Sequence, residues 1–492
     1  MKDVSSPRKR KTADAPAVPP SPLPDAGESD GSEIVTAVPK QLPHRTDAGN
    51  AELFRSLYSD KVRFDHKRKR WLIWRGERWS EDGDGTIRRF AKKAIRARLQ
   101  IANSILSDEE LQKEVKWSFK SESRAKLDAM LELAKAERPI ADSGEGWDSD
   151  PWLLGVPNGV VDLRTGKLLP GAPARRMTMQ TRVPYDPKAN APRWDRFLRE
   201  VFENDNDLID FVQKAVGYST TGITQEQVFF SLYGPGSDGK TTLMEALRDA
   251  LGDYGFNMPF STLELAARTG IPNDVAALVN RRFVTASETN EASRWNEARV
   301  KVLTGEDNVT ARFLYQEFFN FRPVGKFWVG FNHRPTVSDD SFGFWRRVRL
   351  IPFRHRFEGE EQDKKLIEAL RAEAPGILRW AVEGCLKWQE EGLGMPPAVQ
   401  EATEDYRATA DIVGQFLEDA CVVDEDRSIS AGTLWAEFER WCEENGERLD
   451  RRAFADRLEN KGFRKARTGH DRQRMWVGLT LKTMAEAEGL AA

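Results

Sequence analysis

A chain of 492 residues is longer than one hydrophobic core serves, since cores stop growing at roughly 250–300 residues, so two or three domains plus tails are expected. Charged residues make up 31% while the net charge is only -3, which excludes a uniformly basic nucleic-acid coat and leaves any phosphate affinity to local patches. The three cysteines, Cys385, Cys421 and Cys442, lack metal-ligand spacing and are odd in number, which argues against a disulfide framework and for a reducing compartment. No long apolar run and no apolar signal core after Met1 occur, so the expectation is a chain that is neither in a membrane nor exported.

Residues 1–45 are rich in Pro, Ser, Asp and Ala with few large apolar side chains, and read as a disordered tail. From Thr46 a mixed α/β domain begins, expected to run to residue 186. In "KVRFDHKRKRWLIWRGERW" Trp71, Ile73 and Arg75 alternate with Leu72, Trp74 and Gly76 as in a strand. "IRRFAKKAIRARLQIANSIL" has a helical pattern, and "NGVVDLRTGKLLP" reads as a hairpin turning at Thr165-Gly166. "PKANAPRW" is the expected linker into a second unit, 187–356, which opens on the helices "WDRFLREVF" and "DLIDFVQKAVGYS". Residues 357–409 are helical until "GMPP" breaks the pattern. The last unit, 410–492, is asymmetric in charge: Pro396 to Asp450 holds 15 acidic and 4 basic residues, Arg451 to Lys482 holds 10 basic and 3 acidic. One face of it should prefer phosphate.

The most constrained stretch is "SLYGPGSDGKTTLMEALRDALG". It places Gly234, Gly239, Lys240 and Thr241 in the pattern G-x-x-x-x-G-K-[ST], between the β-prone run "QVFFSLY" and a helix with Leu243, Met244, Leu247 and Leu251 on one stripe. Strand, glycine loop and helix are the arrangement a phosphate cradle requires, because loop N–H groups and the helix N-terminus surround the anion. Gly234, Pro235, Gly236, Ser237, Asp238, Gly239, Lys240, Thr241 and Thr242 are therefore the candidate ATP-binding residues, with Lys240 reaching the β and γ oxygens and Thr241 a ligand of Mg²⁺. Hydrolysis further needs a carboxylate at a neighbouring strand end. "RRFVTASE" offers Glu288, for metal and water, and "KFWVGF" ends at Asn332, whose amide could orient the water. Arg346 and Arg347 in "FGFWRRVRLIPF" are candidates for an arginine finger supplied to a neighbouring subunit.

The blocks "GPGSDGKTTL", "RRFVTASE", "VKVLTGEDNVTARFLYQEFFNFRP", "KFWVGFNHRP" and "WRRVRLIPF", in this order, resemble the superfamily 3 helicases, in particular the helicase portion of phage and plasmid primases related to the poxvirus primase-helicase. "TDAGNAELF", "RWLIWRGERW" and "NGVVDLRTGK" resemble the domain that precedes the helicase there. The resemblance implies an AAA+-like P-loop ATPase core (α/β) between an N-terminal mixed α/β domain and a C-terminal winged-helix domain. It also implies a hexameric ring acting on single-stranded and forked DNA in a bacterial host cytoplasm, with a separate primase or polymerase as a further partner. By position, Glu288 becomes the Walker B acid, Asn332 sensor 1, and Arg346 and Arg347 share the finger assignment. A β-hairpin from "NVTARFLYQEFFNFRP" would enter the ring's channel, with Lys301, Arg312 and Lys326 on phosphates and Tyr315 stacking on a base. The basic wing at the C-terminus would present Arg464, Lys465, Arg467, Arg472 and Arg474 to DNA. Two departures stand out: Ser287 precedes Glu288 where relatives often have a second acid, and Asp238 stands where Asn is common. No zinc-finger spacing or paired-carboxylate pattern precedes Thr46, so a helicase without primase activity is the expectation. The competing classes are an ATP-gated DNA-binding initiator that does not separate strands, and a phosphotransferase, for which no lid or acceptor signature is visible.

Overall fold

The computed structural model describes residues 41–265, 273–288, 293–313, 317–337, 342–468 and 473–482; the expected tail lies almost wholly outside them. The N-terminal unit starts with α1 (Asp47–Tyr58), where the Thr46 hydroxyl accepts the Gly49 N–H at 3.0 Å, an N-cap that satisfies one of the helix's free donors. There follow β1 (Val62–Asp65), β2 (Arg70–Trp74), β3 (Trp79–Glu81), α2 (Thr86–Ile105), α3 (Asp108–Ser121), α4 (Arg124–Ala134) and β4 (Ala141–Asp142). The four strands form one sheet in the order β3-β2-β1-β4. Phe54, Ile87, Ile95, Leu127 and Met130 fill the core between it and the helices.

An antiparallel sheet of β5 (Leu153–Val156), β6 (Gly159–Asp162) and β7 (Lys167–Leu169) comes next. Its second turn falls at Thr165 and Gly166 as expected, with Gly166 N–H bonded to the Asp162 carbonyl at 2.8 Å. Then come α5 (Pro192–Val201) and α6 (Asn206–Thr220).

The central unit is built from β8 (Phe229–Tyr233), α7 (Lys240–Leu251), β9 (Gly255–Asn257), α8 (Asn273–Ala276), β10 (Phe283–Ser287), α9 (Glu297–Thr304), β11 (Val309–Ala311), β12 (Phe319–Phe321), β13 (Lys326–Phe331), α10 (Phe342–Trp345) and β14 (Val348–Pro352). Five of these strands form a sheet in the order β14-β8-β13-β10-β9, parallel at every pairing. All six residues of β13 are buried, as a strand covered on both faces demands. The chain leaves β8 through α7 toward β9 at one edge, whereas β14 lies on the other side of β8. The carboxyl end of β8 is therefore a topological switch point, where open α/β sheets hold ligands. The expected hairpin exists as β11 and β12, paired Val309 to Phe321 and Ala311 to Phe319.

The helices α11 (Leu366–Ala372), α12 (Ala374–Glu391) and α13 (Pro397–Ala410) follow. A closing unit contains α14 (Ile412–Ala420), β15 (Cys421–Ser430), α15 (Ala431–Asn445), α16 (Arg451–Asn460), β16 (Arg464–Thr468) and β17 (Gln473–Leu481). Its strands pair antiparallel in the order β15-β17-β16 over a separate core of Phe416, Leu434, Phe438, Phe454 and Trp476.

Packing divides the chain differently from the expected break at residues 186 and 187. Leu154, Val161, Leu163 and Tyr185 belong to the same apolar cluster as Trp194, Phe211, Trp380 and Leu378, so β5 to β7 share a core with α5, α6 and α12. Pro-rich composition at 187–192 marks a surface crossing, and a surface crossing need not coincide with a break in the core.

The sheet that carries the site is anchored by Trp328 of β13, which is fully buried, packs tilted against Phe230 at 4.4 Å between ring centres and donates its indole N–H to Ser219 Oγ at 3.0 Å. Trp328→Ala should lower stability by about 3–5 kcal/mol through the cavity it leaves. Denaturant unfolding followed by tryptophan fluorescence and by circular dichroism checks this.

Candidate functional site

Three adjacent strands deliver the candidate residues to one level. In the register Ser287 pairs with Gly330 and Gly330 with Leu232, so Glu288 after β10, Asn332 after β13 and Gly234 after β8 leave the sheet side by side, roughly 4.8 Å per strand apart. The Asn332 side-chain amide lies against the loop, 3.7 Å from the position a Cβ on Gly236 would take. Glu288 is half-buried, and among the described residues its buried Oε1 has no hydrogen-bond partner. Burial pushes its carboxyl above the usual range, opposed by hydrogen bonds from Ser293 and the His333 backbone.

The loop itself is tightly specified. A Cβ on Gly234 would sit 2.5 Å from the Phe353 carbonyl oxygen, and Gly239, at φ +89°, would meet Val201 at 2.8 Å and Phe197 at 3.1 Å. Phe353 N–H bonds the Tyr233 carbonyl at 2.7 Å and Phe357 N–H bonds the Ser237 carbonyl at 2.8 Å, so the chain after β14 clamps both ends. Lys240 opens α7 with its side chain only 7% exposed; its Nζ donates to the Gly234 carbonyl at 3.0 Å and pairs with the Asp238 carboxylate. Burial lowers the pKa of Lys240, and Asp238 counteracts this. Asp238, which stands where Asn is common, is thus paired. Thr241 is exposed at the same helix start. A buried carboxylate oxygen without a partner among the described residues and an exposed hydroxyl at a helix N-terminus suit Mg²⁺, a hard cation that takes oxygen ligands.

The arginines lie at the opposite edge of the sheet. Arg347 precedes Val348, which pairs with Phe229 at the start of β8, whereas Tyr233 at its end pairs with Pro352. That separation is about 13 Å along the strand, which sets both arginines apart from the loop of their own chain. Arg346 is exposed and bonds Gln227 at 2.7 Å; Arg347 is buried, bonds the Gly343 carbonyl and has a lowered pKa because of that burial.

The DNA candidates divide sharply. Lys326 is a correction: it is 1% exposed, its Nζ is taken up by the Thr221, Ile223 and Val324 carbonyls, and burial drives its pKa well below the usual value, so it cannot reach a strand of DNA. The resemblance placed it among the phosphate contacts, whereas it closes the carbonyls at the end of α6. Lys301 is half-buried on α9. Arg312 is exposed at the hairpin and lies over the Phe318 ring at 4.8 Å, with Phe318 itself 51% exposed. Tyr315 and Arg472 fall outside the described residues. Arg464, Lys465, Arg467 and Arg474 are exposed on β16 and β17, with Lys465 paired to Glu459 at 2.8 Å and Arg467 directly opposite Arg474. Like charges placed opposite each other destabilise a ribbon unless an anion lies between them.

Sequence reasoning missed Arg334. It stacks over Tyr233 at 4.7 Å, pairs with Asp405 at 2.6 Å and lines, with Pro235 and Phe353, an open groove of about 490 Å³ beside the loop. The only available signal was a cation two residues past Asn332 in "FNHRP".

The class defined by fold and site is a multi-domain α/β chain with a glycine loop at the switch point of a parallel sheet. Residues 51–203 match the family described as D5 N terminal like, 232–347 match a family described as of unknown function (DUF5906), and 408–480 match the family described as Poxvirus D5 protein-like. The chain is 28% identical over 324 residues to a helicase-named protein of Acanthamoeba polyphaga mimivirus, covering 61% of this chain and 34% of that protein. It is 24% identical over 388 residues to a helicase-named protein of Frog virus 3 (61% and 40%) and 26% identical over 316 residues to a primase-named protein of African swine fever virus (58% and 32%). The matches at both ends of the chain, together with the names of these relatives, support a likeness to the poxvirus D5-like primase-helicase family. It spans about a third of the length of these relatives, and their names divide between two activities. Among solved structures the apo C-terminal region of NrS-1 is similar in fold, with a TM-score of 0.50 at 11% identity over 88% of this chain and 99% of that one. No helix among the described residues is long and apolar enough to cross a membrane.

Gly239→Ala should strain the loop by about 1–3 kcal/mol, because a left-handed backbone and a clash with Phe197 and Val201 coincide. The expected result is a lower melting temperature together with loss of nucleotide-dependent stabilisation, read by thermal denaturation with and without ATP.

Proposed function

We propose that the chain is an ATP-driven DNA helicase module acting in replication, of the superfamily 3 type, with an AAA+-like core and a winged-helix closing domain. The observation that carries this reading is the alignment of Glu288, Asn332 and the glycine loop on three neighbouring strand ends, with one Glu288 oxygen buried and unpartnered. Bound ATP·Mg²⁺ supplies the transferable γ-phosphoryl group. Lys240 and the loop N–H groups would hold its oxygens, Thr241 and Glu288 would hold the metal, and Asn332, beside Gly236, would orient water.

The distance between the arginines and their own loop supports a ring in which Arg346, the exposed member of the pair, reaches the site of the next subunit. Six subunits are expected by resemblance. The β11–β12 hairpin, carrying Arg312, Phe313 and Phe318, is suited to gripping single-stranded DNA in the channel through charge and stacking. The ribbon of Arg464, Lys465, Arg467 and Arg474 suits duplex phosphates. The relatives named above come from large DNA viruses, so replication of a viral or other mobile genome is the setting we assign; the phage or plasmid origin rests on motif resemblance alone.

ATP-dependent opening of a labelled fork tests the reading. The native protein should separate the strands and Lys240→Ala should not. Arg346→Ala should lower ATP turnover by roughly 1000-fold or more and poison native protein when mixed with it, as expected of an arginine finger acting between subunits. ATP turnover with a fork that stays closed at every tail polarity would replace the helicase by an ATP-gated DNA-binding initiator.

A further inference from the structure

The Asp238 side chain lies in the middle of a surface loop, yet it is only 3% exposed. Its Oδ2 accepts the Gly236 N–H at 3.1 Å and its Oδ1 the Lys240 N–H at 3.3 Å, while Oδ2 also pairs with Lys240 Nζ. Two backbone N–H groups and a lysine at a helix start are the donors that such a loop presents to phosphate. Here a carboxylate of the chain has all three. Room for it comes from Gly234, where a Cβ would stand 2.3 Å from Oδ2.

We propose that Asp238 is a resident anion that competes with the nucleotide's β-phosphate for the donors of Gly236 and Lys240, and thereby sets the affinity of the site and its discrimination by phosphate number. The inference rests on the nucleotide reading above. Two anions cannot share one set of donors a few ångströms apart, since their repulsion is unscreened in a buried place. Nucleotide binding therefore turns the carboxylate outward and frees Lys240 from it. The loop backbone need not follow, because Phe357 N–H holds the Ser237 carbonyl at 2.8 Å. Apparent affinity is then the intrinsic affinity reduced by the fraction of loops already vacated. Without ligand the same contact has the opposite value: it neutralises a buried lysine and satisfies donors at the start of α7 that would otherwise be unpaired.

The test uses the full chain without divalent metal. Calorimetric titrations with ADP, inorganic pyrophosphate and AMP are compared between the native protein and Asp238→Asn, together with the melting temperature of each without ligand. Asparagine keeps the shape and loses the charge, so affinity for ADP and pyrophosphate should rise roughly tenfold, AMP should change less than twofold, and the unliganded melting temperature should fall. The opposite signs are decisive. A carboxylate that merely repels nucleotide from a distance would tighten AMP as well and leave the unliganded protein as stable as before, and that result would overturn the proposal, as would weaker ADP binding. Asp238→Ala takes the place of Asp238→Asn if the latter does not accumulate folded. Binding by the variant alone supports the proposal, whereas no binding by any form removes the nucleotide reading and this inference with it.

Discussion

The first turn of α7 leaves N–H groups that no residue within the helix can satisfy, and much of the molecule is arranged to keep those groups fixed in one place. Gly239 is pressed against Phe197 and Val201 of α5. The start of α5 is in turn tied to the start of α12, where the Glu373 carboxylate accepts the N–H groups of Arg193 and Trp194 at 2.9 and 3.0 Å. On the other side, the segment after β14 holds the loop through Phe353 and Phe357. A shift of the helical layer is therefore transmitted to the loop through packed side chains and short hydrogen bonds. This gives the helices a mechanical link to the glycine loop that does not pass through the sheet.

The two edges of the parallel sheet are chemically distinct. At the carboxyl edge lie the loop, Glu288 and Asn332. At the amino edge Arg282 and Lys326 are drawn inward by the carbonyls at the end of α6, Arg282 to Thr220 at 2.8 Å and Lys326 to Ile223 at 3.2 Å. A helix C-terminus attracts cations, and a buried one with free carbonyls can hold them without a carboxylate partner. Both cations are consumed by structure. Arg346 escapes because the short turn before β14 points it away from the helix end toward Gln227.

Where local chemistry decided the outcome, the sequence was readable. The spacing of Gly234, Gly239 and Lys240 admits few backbones, the apolar run of β13 admits only a buried strand, and Thr165-Gly166 admits a tight turn; the structure has all three. Where a distant partner decided, it was not. Nothing near Lys326 reveals that α6, more than 100 residues earlier, ends above it, and nothing near Asp238 states whether its carboxylate turns toward Lys240 or toward water. Arg334 was hidden for the same reason, since its meaning depends on Tyr233 and Asp405. The choice between Arg346 and Arg347 was likewise invisible in a dipeptide, because burial separates them by fold and not by type.

The hairpin sheet of β5 to β7 has one more implication. Leu163 gives its carbonyl to Gln389 at 2.7 Å, Trp152 stacks on Trp388, and Tyr254 bonds the Gly155 N–H at 2.9 Å. The strands β5 to β7 are thus a wall of the glycine-loop unit, while residues 171–178 bond to the domain ahead, Gly171 N–H to Glu77 at 2.8 Å, Trp79 N–H to the Met177 carbonyl at 2.9 Å and Arg176 to Asp142 at 2.7 Å; the D5 N terminal like match runs across both from 51 to 203. A recombination joint at residue 187 would separate that wall from the helices it was selected to cover, whereas a joint near residue 148 would leave the pairing intact. Exchange of the front domain at that second joint would leave the β5–β7 sheet with the loop, while breaking the bonds that residues 171–178 make to the domain ahead.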